Sequence, residues 1–329
     1  MTRRKRILSG NRPTGRLHLG NYLGALQNWV KLQEEYDCFY MVADWHALTS
    51  DYADTRDMPG NIESMVLDWL SAGLDPERSV LFIQSKVKQH AELALILGMF
   101  VPLPWLERCP TYKEALAQIQ EKDLRTYGFL GYPVLQAADI LIYKADTVPV
   151  GEDQLPHLEL TREIARRVNF IYGEIFVEPQ HILSRVPKLL GTDGRKMSKS
   201  YGNCIYLSDS EKTVNEKVSQ MVTDPARVRK TDAGHPEVCS VFDYHKVFNP
   251  DRTDEIADGC RNATIGCVAC KKILAASLNT VLEPMRARRA DLMNRPDYLK
   301  QVIEDGNRRA FEEAERTMAV VRPALNLTP

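Results

Sequence analysis

Over its first two hundred residues this chain alternates short strand-like runs with longer amphipathic stretches, and that alternation restricts the fold more than any other feature. "KRILSG" reads as a strand feeding a glycine turn. The stretch that follows, "LGNYLGALQNWVKLQEE", places Leu19, Tyr22, Leu23, Leu26, Trp29 and Val30 at i, i+3, i+4 spacing, which predicts a helix. "CFYMVADWHALT" starts as a second strand, and a helix covers roughly residues 60 to 72, ending at Gly73. "SVLFIQS" is a third strand, and a further helix starts near Lys88 and runs to the prolines of "VPLPW". That order indicates an α/β fold with a doubly wound, Rossmann-type parallel sheet, whose ligands sit past the carboxyl ends of the strands. Residues 103 to 150 read as an inserted, mostly helical segment. "TVPVGEDQ" restores a strand and its turn, and "LPHLELTREIARRVNFIYG" another helix. Beyond about residue 205 only helical periodicity remains. The expected organisation is therefore a sheet domain over 1–204 and a helical domain over 205–329.

Composition narrows the function classes. The chain's 329 residues can bury a sizeable core, and no apolar run approaches the ~20 residues of a membrane span. "MTRRKRILSG" lacks the apolar core of a signal peptide, so the expected compartment is the cytoplasm, with no membrane partner. A net charge of −1 provides no global field for a polyanion, so any nucleic-acid contact must come from a local patch. Seven cysteines in a reducing compartment argue against a disulfide framework.

Two stretches carry the chemistry. In "SGNRPTGRLHLGNYLGAL" a strand ends at Ser9 and Gly10, a Pro/Gly turn follows, and a helix opens at about His18. Free backbone N–H groups and the dipole at a helix start favour an anion such as phosphate. His18 and Asn21, three apart, share a helix face and can both donate to phosphate oxygens, while Gly20 leaves room for a flat base. A solvated, polar-capped helix start accounts for this stretch equally well on its own. Neither a GxGxxG dinucleotide signature nor a P-loop is present. The second stretch, "GRKMSKSYGN", holds too many small residues for a helix and too many charges for a buried strand. Alone it reads as an exposed basic loop.

Together, "HLGN" and "KMSKS" resemble the two signatures of class I aminoacyl-tRNA synthetases. In that class the lysine loop returns late in the sheet domain to close on a triphosphate. The resemblance implies that Lys196 and Lys199 neutralise charge on a pyrophosphate leaving group, with His18 and Asn21 as the other catalytic contacts. It also implies ATP contacts from Asn11, Arg12, Thr14 and Gly20, from Gly151, Glu152 and Asp153, and from Val186, Met197 and Ser198, with Asp153 on the ribose. Five blocks, "GNRPTGRLHLGNYLGAL", "ADWHALT", "YPVLQAADIL", "VPVGEDQLPHLELTREIARR" and "GTDGRKMSKS", resemble the tryptophanyl-tRNA synthetase family almost throughout residues 7 to 203.

The amino-acid pocket follows from the same blocks. Tyr132, Gln136 and Asp139 fall at i, i+4 and i+7, on one helix face, and the neighbours Ala137, Ala138, Ile140 and Leu141 argue against a surface face. An indole N–H must be read by an acceptor. By the resemblance that acceptor is Asp139, while Tyr132 and Gln154 hold the α-ammonium group and His46 lines the pocket. Leu8, Gly10, Val148 and Val150 complete it. A site built around such a bond rejects analogues lacking it by roughly 10⁴-fold. Many bacterial members carry methionine where this chain has Gln136, and Tyr-x3-Gln-x2-Asp is also how tyrosyl enzymes grip tyrosine. The helix alone therefore leaves both substrates open, whereas the GEDQ block and the "GNRPTG" turn favour tryptophan. His157 and His181 match nothing and read as surface or satisfied core histidines.

Cys239, Cys260, Cys267 and Cys270 are spaced C-x20-C-x6-C-x2-C, a pattern that can supply four thiolates to a zinc ion or a [4Fe–4S] cluster. A subset of the resembled family carries such a quartet around an iron–sulfur cluster, which makes that cluster the expected occupant, with Zn²⁺ as the alternative and a structural role. Residues 261 to 290 hold Arg261, Lys271, Lys272, Arg286, Arg288 and Arg289 against Glu283 alone. A solvated helix face explains them too. The resemblance instead points to a surface receiving a tRNA anticodon. It further implies a homodimer joined through residues 103 to 150. The expected activity is tryptophan–tRNA ligase, using ATP with Mg²⁺, L-tryptophan and tRNA(Trp). The alternatives are a tyrosyl-tRNA synthetase and a catalytically silent tRNA-binding relative.

Overall fold

The computed structural model describes residues 4–110, 112–113, 125–183 and 189–327. Among these, five strands form one parallel sheet: β1 (Arg6–Asn11), β2 (Asp37–Val42), β3 (Ser79–Ile83), β4 (Thr147–Val150) and β5 (Gln180–Leu183), in the order β3-β2-β1-β4-β5. β1 pairs with β2 from Arg6↔Asp37 to Asn11↔Val42 and with β4 at Ile7↔Thr147. Side chains alternate between faces as the pleat requires. Ile7, Cys38, Tyr40, Leu81 and Ile83 enter one apolar cluster, and Leu8, Phe39, Met41, Val80 and Phe82 the other. Both faces are covered, so β2 and β3 read as continuous apolar runs.

Beyond β1, three helical pieces follow in succession: α1 (Leu19–Asn21), a π turn at Tyr22–Leu26, and α2 (Gln27–Leu32). Trp29 of α2 is buried and stacks on Tyr40 at 4.6 Å. After β2 come α3 (Asp44–Asp51) and α4 (Met58–Ala72), which stops at Gly73, whose φ of 114° suits glycine. α5 (Gln89–Gly98), α6 (Leu103–Glu107), α7 (Tyr127–Ile142) and α8 (Leu155–Tyr172) lie between β3 and β5. Part of the expected inserted segment, residues 111 and 114–124, lies outside the described residues. Its helix α7 buries Ala137, Ala138 and Ile140–Ile142 over the sheet.

Beyond residue 204 the chain is helical: α9 (Glu211–Ser219), α10 (Ser240–Phe248), α11 (Thr253–Arg261), α12 (Cys267–Met293) and α13 (Pro296–Ala324). The last of these returns to the sheet. Ile83 N–H of β3 donates to Asn307 Oδ1 at 2.8 Å, and Arg309 donates to the carbonyls of Pro76 and Ser79. Arg6 of β1 pairs with Asp37 at 2.8 Å and with Glu313 of α13 at 2.5 Å. The helix thereby covers an edge strand that would otherwise expose unpaired backbone groups.

Candidate active site

Strand order reverses beside β1, and a cleft of about 1140 Å³ opens over the carboxyl ends of β1 and β4. Its walls bring together residues far apart in the chain. From the turn after β1 come Asn11, Arg12 and Thr14, and from the helix start His18 and Asn21. From the lysine loop come Met197, Ser198 and Lys199. Leu8, Gly10, Val148, Val150 and Gly151 line the strand ends. Glu152, Asp153, Gly20 and Lys196 are not among the lining residues, although the Asp153 carboxylate lies against Gly151. Val186 lies outside the described residues.

The two motif stretches meet. The Lys199 ammonium donates to the carbonyl of Thr14 at 2.9 Å and to its hydroxyl at 3.2 Å, joining residues separated by 185 positions. Burial pulls the Lys199 pKa down, with Asp68 and Cys204 opposing the shift. His18 caps α1, where its backbone N–H donates to Asn21 Oδ1 at 3.1 Å. Burial, aided by the Lys199 charge, lowers the His18 pKa to about 4. The imidazole is therefore neutral near pH 7, and its buried Nδ1 has no hydrogen-bond partner among the described residues. A Cβ at Gly20 would stand 3.0 Å from the His18 ring, so the glycine lets that imidazole lie close to the helix start.

Asn203 shapes the lysine loop, and the motif reading passed over it. Its Oδ1 accepts from Ser198 N–H at 2.8 Å, and its Nδ2 donates to Asp193 at 2.7 Å and to the Lys196 carbonyl at 3.1 Å. Lys196 itself is exposed and bridges to Leu190 through its backbone.

At the other end of the cleft, Asp139 is 1% exposed and engaged on both oxygens. His46 Nε2 lies 2.7 Å from Oδ2, His90 Nδ1 lies 2.6 Å from Oδ1, and Gln84 donates to both at 2.8 and 3.0 Å. Burial alone would raise this carboxyl's pKa. The hydrogen bonds from His46 and His90 outweigh burial and hold it below the usual range. His90 also bonds the Tyr143 hydroxyl at 2.7 Å. Gln84 and His90 escape a motif search because they come from β3's end and α5, where nothing in the local sequence marks them.

His157, expected to be a surface or satisfied core histidine, is 1% exposed and bridges two pocket residues. Its Nε2 is 2.9 Å from the Tyr132 hydroxyl and its Nδ1 is 3.0 Å from Gln154 Oε1. Burial lowers its pKa to about 4, against the pull of Asp153. His181 is exposed on β5. Tyr132, Gln136, Gln154 and His46 all line the same cleft as Lys199.

The family profile described as "tRNA synthetases class I (W and Y)" matches residues 1–283. A tryptophan–tRNA ligase of Thermotoga maritima is 55% identical, over 98% of this chain and 99% of its own. The chain belongs to the tryptophanyl-tRNA synthetases. That of Aquifex aeolicus is 47% identical over 98% of this chain and 100% of its own. The solved structure of tryptophanyl-tRNA synthetase from Campylobacter jejuni, complexed with ADP and tryptophan, superposes with a TM-score of 0.87 at 36% identity, covering 98% of this chain and 99% of that one. No described helix of this tryptophanyl-tRNA synthetase is long and apolar enough to cross a membrane.

Its cysteine quartet lies away from the cleft. Cys239 caps α10, Cys260 is on α11, and Cys267 and Cys270 start α12. Burial, with the charges of Cys239, Cys260 and Cys267, pushes the Cys270 thiol up to about 12. Cys270 Sγ sits 3.3 Å from His245 Nε2, and Arg227 donates to Cys260 Sγ at 3.5 Å. Among the described residues, no group of three or more His, Cys, Asp or Glu is gathered so as to hold a metal ion. The basic run of 261–290 does not form one free surface either. Arg289 pairs with Asp68, Arg288 donates to the Ser71 carbonyl at 2.6 Å, and Arg286 pairs with Glu283 at 2.7 Å. Arg261 pairs with Glu237, and Lys271 donates to the Ser219 carbonyl. Arg288 and Arg289 serve helix docking because α12 lies against α4, a contact invisible in charge spacing.

Proposed function

We propose that this cleft carries out the tryptophan–tRNA ligase reaction with the residue roles that follow. A tryptophan carboxylate oxygen attacks the α-phosphorus of ATP, the bond from that phosphorus to the bridging oxygen breaks, and pyrophosphate leaves. The 2′-hydroxyl of the terminal ribose of tRNA(Trp) then attacks the acyl carbon and AMP departs. Lys199, with Lys196 after loop movement, neutralises the pyrophosphate; His18 and Asn21 donate to phosphate oxygens; Asn11, Arg12, Thr14, Met197 and Ser198 complete the nucleotide contacts. Neutral His18 acts as a hydrogen-bond donor, and no protein nucleophile is needed. Mg²⁺ arrives with ATP. Tyr132 and Gln154 take the ammonium group, and Asp153 with Gly151 and Glu152 meets the ribose.

Asp139 accepts the indole N–H. A carboxylate offers about four lone-pair sites. His46, His90 and Gln84 already occupy them, so the indole takes one partner's place. Of the three, only His46 lines the cleft, and it is the one displaced. The observation carrying this reading is the single cleft that holds Lys199 against Thr14 at one end and the Asp139 carboxylate at the other. ATP–pyrophosphate exchange measured over the twenty amino acids tests it. Exchange is expected with tryptophan alone; exchange with tyrosine, or with none, contradicts it.

Two further parts belong to the same reading. The four cysteines supply the thiol donor set of a [4Fe–4S] cluster, and their C-x20-C-x6-C-x2-C spacing supports it. Among the described residues no metal-ready set is gathered, so binding requires the four thiols to draw together. Such a cluster would tie α10 and α11 to α12. Protein purified anaerobically is expected to be brown, with iron and acid-labile sulfide; colourless protein containing zinc contradicts this. Homodimer formation through residues 103–150 is supported by the exposed apolar side chains Leu103 and Tyr127 of that segment. Anticodon binding by the helices beyond residue 204 rests on the family's tRNA substrate. The expected compartment is the cytoplasm.

A further inference from the structure

Asp68, in the last turns of α4, is 1% exposed and, beyond the pull of its charge on Lys199, takes no part in the chemistry above. Its Oδ2 accepts the backbone N–H of Leu17 at 2.8 Å, and its Oδ1 pairs with Arg289 of α12. Leu17 immediately precedes His18. Its carbonyl accepts from Leu207 N–H at 3.0 Å, and Leu19 N–H donates to the Ile205 carbonyl at 2.9 Å. The backbone entering α1 is thus gripped from two sides: by the chain leaving the lysine loop, and by a carboxylate that α12 holds in place.

A buried ion pair is weak evidence of a stabilising role, since an apolar pair of similar volume would dock two helices as well. What no aliphatic side chain supplies is an acceptor for a buried backbone N–H. Beside it, Arg288 donates to the Ser71 carbonyl and Arg286 to the Asp209 carbonyl, so the end of α12 is fixed on α4 and on the segment after the lysine loop. We propose that Asp68 is a positioning residue of the triphosphate site, through which α12 sets the Leu17–His18 backbone. This rests on the role given to His18 above. α12 runs about 40 Å from Cys267 and Cys270 toward the Arg289 end, with Pro284 inside it.

Steady-state ATP–pyrophosphate exchange on the full chain, normalised to titrated active sites, tests the assignment. Asp68→Leu removes both contacts, and Arg289→Met removes only the clamp. The leucine variant is expected to lose on the order of ten- to a hundredfold in kcat/KM for ATP. KM for tryptophan is expected to stay within about twofold of the unsubstituted chain. Arg289→Met is expected to show a smaller loss with the same split. A lowered Tm with an unchanged KM and kcat for ATP, or a rise in KM for tryptophan as large as the rise in KM for ATP, overturns the proposal. Should Asp68→Leu fail to fold, the split in Arg289→Met decides the matter by the same criterion. A lack of tryptophan-dependent exchange in the unsubstituted chain refutes the functional reading itself, whereas normal exchange with unaltered variants refutes only the role of Asp68.

Discussion

Lys199 shows most plainly how one side chain acquires a task from its surroundings. An ammonium held against Thr14 and partly stripped of water is available for a polyphosphate once ATP displaces the Thr14 contact. Lys199→Ala is expected to slow adenylate formation on the order of 10²- to 10³-fold while leaving tryptophan affinity nearly intact. Single-turnover kinetics and equilibrium tryptophan binding check this, and equal losses in both contradict it. The buried histidines make a second case. His18 and His157 have pKa values lowered to about 4, whereas the unfolded chain titrates them near the ordinary value of about 6.5. Between those values the unfolded state binds more protons, so these histidines favour the folded state above about pH 6.5, and that advantage is lost as pH falls toward 4. The Tm is expected to be lower at about pH 5 than at about pH 7.5, with a smaller drop in His157→Asn. An identical drop in that variant contradicts the assignment. His18, Asn21 and Lys199 could be found from sequence because their motifs are local. Gln84, His90 and His157 could not, since their meaning lies in contacts made across elements.

The elements that were legible are those whose apolar pattern decides their state. β1, β2, β3 and β4 emerged from short apolar runs, and the helix ending at Gly73 from its periodicity and its glycine. β5 (Gln180–Leu183) carries no such signal: it is four residues long, half of them polar, mostly exposed, and among the described residues pairs only with β4. The return of α13 to β3 was equally hidden, since an amphipathic helix does not say which surface it covers. That docking depends on Gly306, where a Cβ would stand 1.8 Å from the Leu81 carbonyl oxygen. Gly306→Ala is expected to destabilise the protein by about 1–3 kcal/mol through forced separation of helix and strand. Thermal unfolding checks it, and an unchanged Tm would show that α13 sits more loosely on the sheet.

In the whole molecule the helical region and the sheet share their packing. One apolar cluster contains Trp29 and Trp69 together with Leu274, Leu278 and Leu282 of α12. A boundary after residue 204, natural where strand periodicity stops, gives no hint that α12 packs on α4 and α13 on the β3 edge of the sheet. Removing residues 296–329 is expected to abolish cooperative unfolding, because it bares the β3 edge and leaves Arg6 without Glu313. A truncated chain that still melts cooperatively contradicts this. The central claim is that a helix start and a late basic loop converge on one triphosphate beside a pocket for indole. A crystal structure with tryptophan and an ATP analogue tests it most directly. The account expects the phosphates between His18, Thr14 and Lys199, with the indole nitrogen on Asp139. Phosphates bound elsewhere, with Lys199 still on Thr14, would contradict it.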